Sequence, residues 1–193
     1  MPAITQSQRK VTRWLKFTNG AIITGTILFC LLMLYARIPG MVLLGISPHW
    51  TIIWLVAWSV NRKVKQAAIA GVCLGLIHDS LTVGGFPTHV IGLVTVGVMT
   101  SRLQKDKYIR EDFISIALIV FLMVLIHETT MTLQYSLRHL DNLGYIWLYH
   151  GALSLASAVL SSLWAPVLYF PLNLWWDYLR KKQKQMYGDI TMP

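Results

Sequence analysis

Two histidine–acid pairs interrupt apolar stretches of this sequence and are its first candidates for chemistry. His78-Asp79 lies in the apolar segment 67–83, and His127-Glu128 lies near the middle of the segment 113–137. Ionisable side chains within long apolar segments are costly and usually face a partner or a polar cavity. We therefore treat these four side chains as candidate polar or partner contacts.

Asp79 has three interpretations. It can hold the turn at Gly84-Gly85, or make an inward-facing contact to another helix or to a partner subunit. It can also belong to a proton or ion relay, which would need further acids at matching depth, and only Glu128 is available in the other apolar segments. The first two interpretations are favoured over the third.

His127-Glu128 begins like the zinc motif H-E-x-x-H, but Met131 occupies the place of the second histidine. His127 and His78 remain loose candidates for a metal site, and a polar contact between helices is favoured. The sequence has no G-x-x-x-x-G-K-[ST], no G-x-S-x-G and no metal-spaced Cys/His cluster. We therefore expect a protein that is not an enzyme and has no catalytic residue, metal or cofactor.

The composition indicates lipid as the solvent of the elements that carry these residues. Of the 193 residues, 55% are hydrophobic and only 13% are charged, whereas a soluble domain has about 25% charged residues. The formal net charge is +9, but the basic residues form short clusters between apolar stretches. This pattern is typical of charges that set membrane topology and gives no indication of nucleic-acid binding.

Six apolar segments are candidate membrane spans, since crossing the hydrocarbon core takes about 20 residues. The second is the least regular: 50–60 is short, and Pro48 would break a helix that began at Met41. Either a short helix starts near Pro48 or a kinked one runs from Met41. The last is long enough to tilt or to be broken at Pro166 and Pro171. The six segments are approximately 17–38, 50–60, 67–83, 86–103, 113–137 and 145–176.

The basic clusters alternate with these segments. All but two of the 17 Lys and Arg residues fall at the two ends of the chain, after the second segment or after the fourth. Basic residues are enriched on the cytoplasmic side of a membrane. The alternation therefore predicts a protein of the bacterial inner membrane with six spans and both termini in the cytoplasm. The predicted regions are a basic cytoplasmic segment 1–16, a six-helix transmembrane domain 17–177 and a basic cytoplasmic tail 178–193.

Small residues predict where helices approach closely. Gly71-x-x-x-Gly75 in the third segment is a candidate helix-packing face, for this bundle or for another membrane protein. Turns or kinks are predicted at Pro48, Gly84, Gly85 and Pro166.

The order and spacing of several motifs resemble the MreD family of rod shape-determining membrane proteins. The resemblance covers approximately residues 14–184. The motifs are Pro48-x-Trp50, Leu55 to Trp58 with a basic turn, Gly75-x-x-x-Asp79, Gly84-Gly85, and Trp164-x-Pro166 with a basic tail.

This resemblance implies a non-enzymatic scaffold that links cytoplasmic shape-determining filaments to periplasmic peptidoglycan synthesis. The implied partners are MreC-like and MreB-like proteins and the synthase complex of RodA with a penicillin-binding protein. The implied fold is similar to the substrate-binding subunit of energy-coupling-factor transporters. That kinship supplies the alternative function, a vitamin-type transporter subunit, which would need a closed polar pocket beneath the outward loops.

Overall fold

The computed structural model describes residues 6–36, 41, 45–82, 88–103 and 113–188. All regular elements in these ranges are helical, as the sequence predicts. Six α-helices follow one another, and a 3₁₀ turn at Leu140–Asn142 precedes the last. They are α1 (Gln6–Tyr35), α2 (Trp50–Ser59), α3 (Val64–Leu81), α4 (His89–Arg102), α5 (Phe113–Arg138) and α6 (Leu143–Gly188).

Helix α2 occupies the centre of the bundle and contacts each of the other five helices. All its residues except Trp58 are buried. Its 10 residues span only about 15 Å, about half of the hydrocarbon core. The segment that leads into it, which contains the buried Pro48, is not helical. Of the two alternatives for this region, the short helix that starts near Pro48 is therefore correct.

Helices α3 and α4 share the most extensive contact between helices, and glycines account for their closeness. A Cβ atom added to Gly71 would lie 2.8 Å from the carbonyl oxygen of Leu93, and one added to Gly75 would lie 2.5 Å from Cα of Val90. From the other side, a Cβ on Gly97 would lie 2.7 Å from the carbonyl oxygen of Ala67. Side chains at these positions would hold the two backbones apart.

Helices α1 and α6 both contact α2. Two hydrogen bonds fasten α1: the indole N–H of Trp54 donates to Thr26 Oγ1 (2.9 Å), and the Tyr35 hydroxyl donates to the carbonyl of Leu81 (2.6 Å). Helix α6 continues through Pro166 and Pro171 without a break.

Among the residues that the structure describes, three helical segments are long and apolar enough to cross a membrane: Phe17–Tyr35, Phe113–Arg138 and Leu140–Lys182. Helices α3 and α4 contain 18 and 14 residues, and α2 is shorter still. The all-helical architecture fits an integral membrane protein.

Candidate functional site

The two histidine–acid pairs of the sequence meet at one end of α2 and are joined there by two further histidines. The residues of this group lie just before α2, at the end of α3, at the start of α4 and in the middle of α5. We call it the histidine–acid cluster, and its members are His49, His78, Asp79, His89, His127 and Glu128.

One ion pair joins α5 to the entry of α2. Nε2 of His49 lies 2.7 Å from Oε1 of Glu128, and both side chains are largely buried. The contact is a salt bridge when the imidazole is protonated and a hydrogen bond when it is neutral. The backbone N–H of His49 also donates to the hydroxyl of Ser161 on α6 (2.9 Å). His49 therefore links the start of the central helix to both α5 and α6.

A second pair joins α3 to α4. Oδ1 of Asp79 accepts the backbone N–H of His89 (2.8 Å) and lies 2.7 Å from Nδ1 of the same residue. His89 is the first residue of α4, where backbone N–H groups lack intrahelical partners and favour a negative charge. Asp79 thus acts as a cap for the next helix and joins the end of α3 to the start of α4.

The remaining two histidines fill the space between these pairs. The rings of His78 and His89 are stacked with centroids 4.0 Å apart, and the His127 ring lies 5.8 Å from His89 and 5.7 Å from His49. Gly92 on α4 gives His127 its place, because a Cβ there would overlap the imidazole. Within the described residues, Nδ1 of both His78 and His127 is buried without a hydrogen-bond partner.

Sequence reasoning missed two members of the cluster and one neighbour. Neither His49 nor His89 is among the candidate residues that the sequence predicts. Gln134 on α5 accepts the N–H of Thr88 (3.1 Å) and donates to its carbonyl (3.2 Å), which fastens the start of α4 to α5. This contact can be expected from the sequence, since an amide side chain within an apolar span tends to form a hydrogen bond to a neighbouring helix.

The cluster is not arranged as a metal site. In the part of the chain that the structure describes, no three His, Cys, Asp or Glu side chains converge so that they could hold a metal ion. The carboxylates of Asp79 and Glu128 are each engaged by one histidine, and the stacked His78 and His89 turn ring faces toward each other. What this arrangement can do chemically is hold helices together by charge-assisted hydrogen bonds.

The other predicted residues lie elsewhere. Gly71 and Gly75 face α4, Pro48 is buried before α2, and Pro166 lies inside α6. Gly84 and Gly85 fall outside the described residues, so the predicted turn stays a prediction.

The family model for the rod shape-determining protein MreD matches residues 12–179 of the 193-residue chain. The chain belongs to the MreD family. The match includes α2 to α5, most of α1 and α6, and every member of the histidine–acid cluster, and it confirms the resemblance in the sequence. Family membership gives the protein a role in rod-shape determination. No curated protein and no solved structure matches the chain, so the kinship to energy-coupling-factor transporters stays a prediction.

Proposed function

We propose that this MreD-family protein is a non-enzymatic scaffold of the inner membrane. It would hold MreC-like and MreB-like proteins and the RodA/penicillin-binding protein synthase in one complex, and so connect cytoplasmic filaments to periplasmic peptidoglycan synthesis. Its six helices would cross the membrane with both termini in the cytoplasm. The histidine–acid cluster would then lie toward the periplasmic side.

The observation that carries this proposal is the mutual pairing within the cluster. Asp79 is engaged by His89, Glu128 by His49, and the amide of Gln134 by the backbone of Thr88. A solute-binding subunit needs convergent polar groups that are free to meet the solute. These three paired groups instead join α2, α3, α4 and α5, which suits a rigid platform for partner proteins.

The orientation rests on charge. Arg62 and Lys63 lie between α2 and α3, and Lys65 lies in the first turn of α3. The basic end of α6 lies on the same side of the bundle, as the contact of Arg180 with Asn61 indicates. Basic residues are retained in the cytoplasm during membrane insertion. The exposed apolar faces of α1 and α6 offer contact surface to lipid and to partner membrane proteins.

The test is a complementation experiment in a rod-shaped bacterium depleted of its own MreD. Asp79→Leu removes the cap on α4 and leaves the N–H of His89 without its acceptor, so we expect widened or rounded cells. Asp79→Asn preserves shape and much of the hydrogen bonding and should be milder. Asp141→Leu removes an exposed carboxylate and is the matched control, with normal shape expected.

Vitamin uptake is measured in the same strains, together with recovery of the MreC-like partner by affinity purification. The scaffold proposal requires a shape defect and reduced partner recovery in Asp79→Leu at normal uptake. Normal shape with impaired uptake would refute it in favour of a transporter subunit.

A further inference from the structure

A cavity of about 130 Å³ lies at the end of the bundle opposite the histidine–acid cluster. It is bordered by α1, by the end of α2 with the turn that follows it, and by the later part of α6. Its polar and aromatic lining residues are Asn19, Trp58, Asn61, Arg62, Trp176 and Arg180.

Hydrogen-bond donors dominate this lining. Among the described residues, three buried donors in it have no partner: Nε1 of Trp58, Nε1 of Trp176 and Nδ2 of Asn61. Trp176 is only 6% exposed, so water does not readily satisfy its indole N–H. An unsatisfied buried donor is costly, and several around one cavity indicate that a ligand with acceptor atoms belongs there. Oδ1 of Asn19 is a buried acceptor without a partner in the same described lining, and it suits a hydroxyl group on that ligand.

Two guanidinium groups add positive charge. Arg62 lies over the ring of Trp58, 5.0 Å from the centroid, and Arg180 donates to Oδ1 of Asn61 (3.0 Å). Asp177 pairs with Arg180 and balances one of the two charges, which leaves the other in excess. The pKa of Arg62 is lowered by burial and by the nearby charge of Arg180. An anion between the two guanidinium groups would relieve this repulsion.

The position of the cavity selects the source of the anion. Trp58 and Trp176 lie near the ends of the apolar segments 50–60 and 145–176, where indole rings occupy the headgroup level of a bilayer. Asn19 lies on α1, whose apolar stretch is largely exposed on the outside of the bundle. The cavity therefore borders the bilayer at the depth of lipid phosphates, and basic pockets between transmembrane helices suit such headgroups.

We propose that this cavity binds the headgroup of an anionic phospholipid, with Arg62 and Arg180 as ligands of its phosphate. The N–H groups of Trp176 and Asn61 supply further hydrogen bonds, and Asn19 accepts one from a headgroup hydroxyl. The bound lipid belongs to the cytoplasmic leaflet under the proposed orientation, while binding itself does not depend on the scaffold function.

The experiment uses the full chain purified in detergent micelles. Phosphatidylglycerol, phosphatidylcholine or inorganic phosphate is added, and thermal unfolding is followed by circular dichroism. Phosphatidylglycerol should raise the melting temperature in a saturable manner, because a ligand that binds only the folded state stabilises it. Phosphatidylcholine has no net charge and should have a much smaller effect.

Variants locate the site. Arg62→Gln should weaken the apparent affinity for phosphatidylglycerol about tenfold, as expected for the loss of one charge-assisted contact to phosphate. Lys65→Gln removes an exposed charge nearby and is the matched control, with an effect below about twofold. Trp176→Phe keeps an aromatic side chain but removes the indole N–H, so it should weaken binding. Its melting temperature without lipid measures separately the packing lost with the smaller ring. It also carries the test if Arg62→Gln does not fold.

Three results would overturn the proposal. Equal stabilisation by phosphatidylcholine and phosphatidylglycerol would show that charge is not recognised. If Arg62→Gln and Trp176→Phe bind as tightly as Lys65→Gln, the lipid binds elsewhere. If millimolar inorganic phosphate alone gives the full stabilisation, the ligand is soluble phosphate and the membrane lipid has no part.

Discussion

Substitution of Gly75 by alanine tests whether the close approach of α3 and α4 supports the histidine–acid cluster. The added Cβ would lie 2.5 Å from Cα of Val90 and 2.9 Å from its backbone nitrogen. Carbon atoms prefer separations of about 3.5–4.0 Å, so α4 must move by about 1 Å at this point. Backbone atoms cannot rotate away as a flexible side chain can, and the two helices have to separate.

Three contributions determine the change in the free energy of unfolding, two of them unfavourable and one favourable. Overpacking of a tight helix contact costs about 1–3 kcal/mol. Val90 follows His89, whose backbone nitrogen lies 2.8 Å from Oδ1 of Asp79. A shift of about 1 Å would lengthen this distance beyond the range of a hydrogen bond. Loss of this bond to a charged acceptor costs about 1.5–3 kcal/mol. The better helix propensity of alanine offsets about 1 kcal/mol of this destabilisation. We expect Gly75→Ala to lower the free energy of unfolding by about 1.5–5 kcal/mol.

The assay is unfolding of the purified protein in mixed micelles with increasing dodecyl sulfate, followed by circular dichroism. Gly25→Ala is the matched control, since a Cβ at Gly25 meets no atom within 4 Å, and it should be neutral or slightly stabilising. If Gly75→Ala is as stable as Gly25→Ala, the two helices do not approach as described, and the glycine argument fails. The bulkier Gly75→Leu should abolish assembly or accumulation of the protein.

Two further predictions concern the pair of His49 with Glu128 and the topology. In a double-mutant cycle with His49→Ala and Glu128→Ala, we expect a coupling free energy of about 1–2 kcal/mol, because each single variant leaves its partner buried and unpaired. Additive effects of the two substitutions on the free energy of unfolding would show that the two side chains do not interact. Reporter fusions after Lys65 and at the C-terminus should report cytoplasm, and a fusion after Asp141 should report periplasm, because basic residues stay inside; a cytoplasmic signal after Asp141 would contradict the six-span arrangement.

The helical elements and the solvent of this protein could be predicted from the sequence. Long apolar segments with few charges must form helices in lipid, because their backbone groups have no other hydrogen-bond partners there. Pro48 indicated where a continuous helix could not pass, and the structure has a short helix that begins at Trp50. The family could also be predicted from the sequence, because the order of the motifs along the chain does not depend on how the helices are packed.

The pairing of polar side chains was decided only by the tertiary structure. Asp79 and Glu128 were recognised as residues that need partners, but the sequence did not identify His89 and His49 as those partners. A helix fixes the angular spacing of its own side chains, while its rotation and depth relative to other helices depend on packing. The glycines of α3 set how closely α4 approaches, and this contact brings His89 to Asp79. The burial of α2 likewise brings His49 to Glu128, because a helix enclosed by five others places the residue before it inside the bundle.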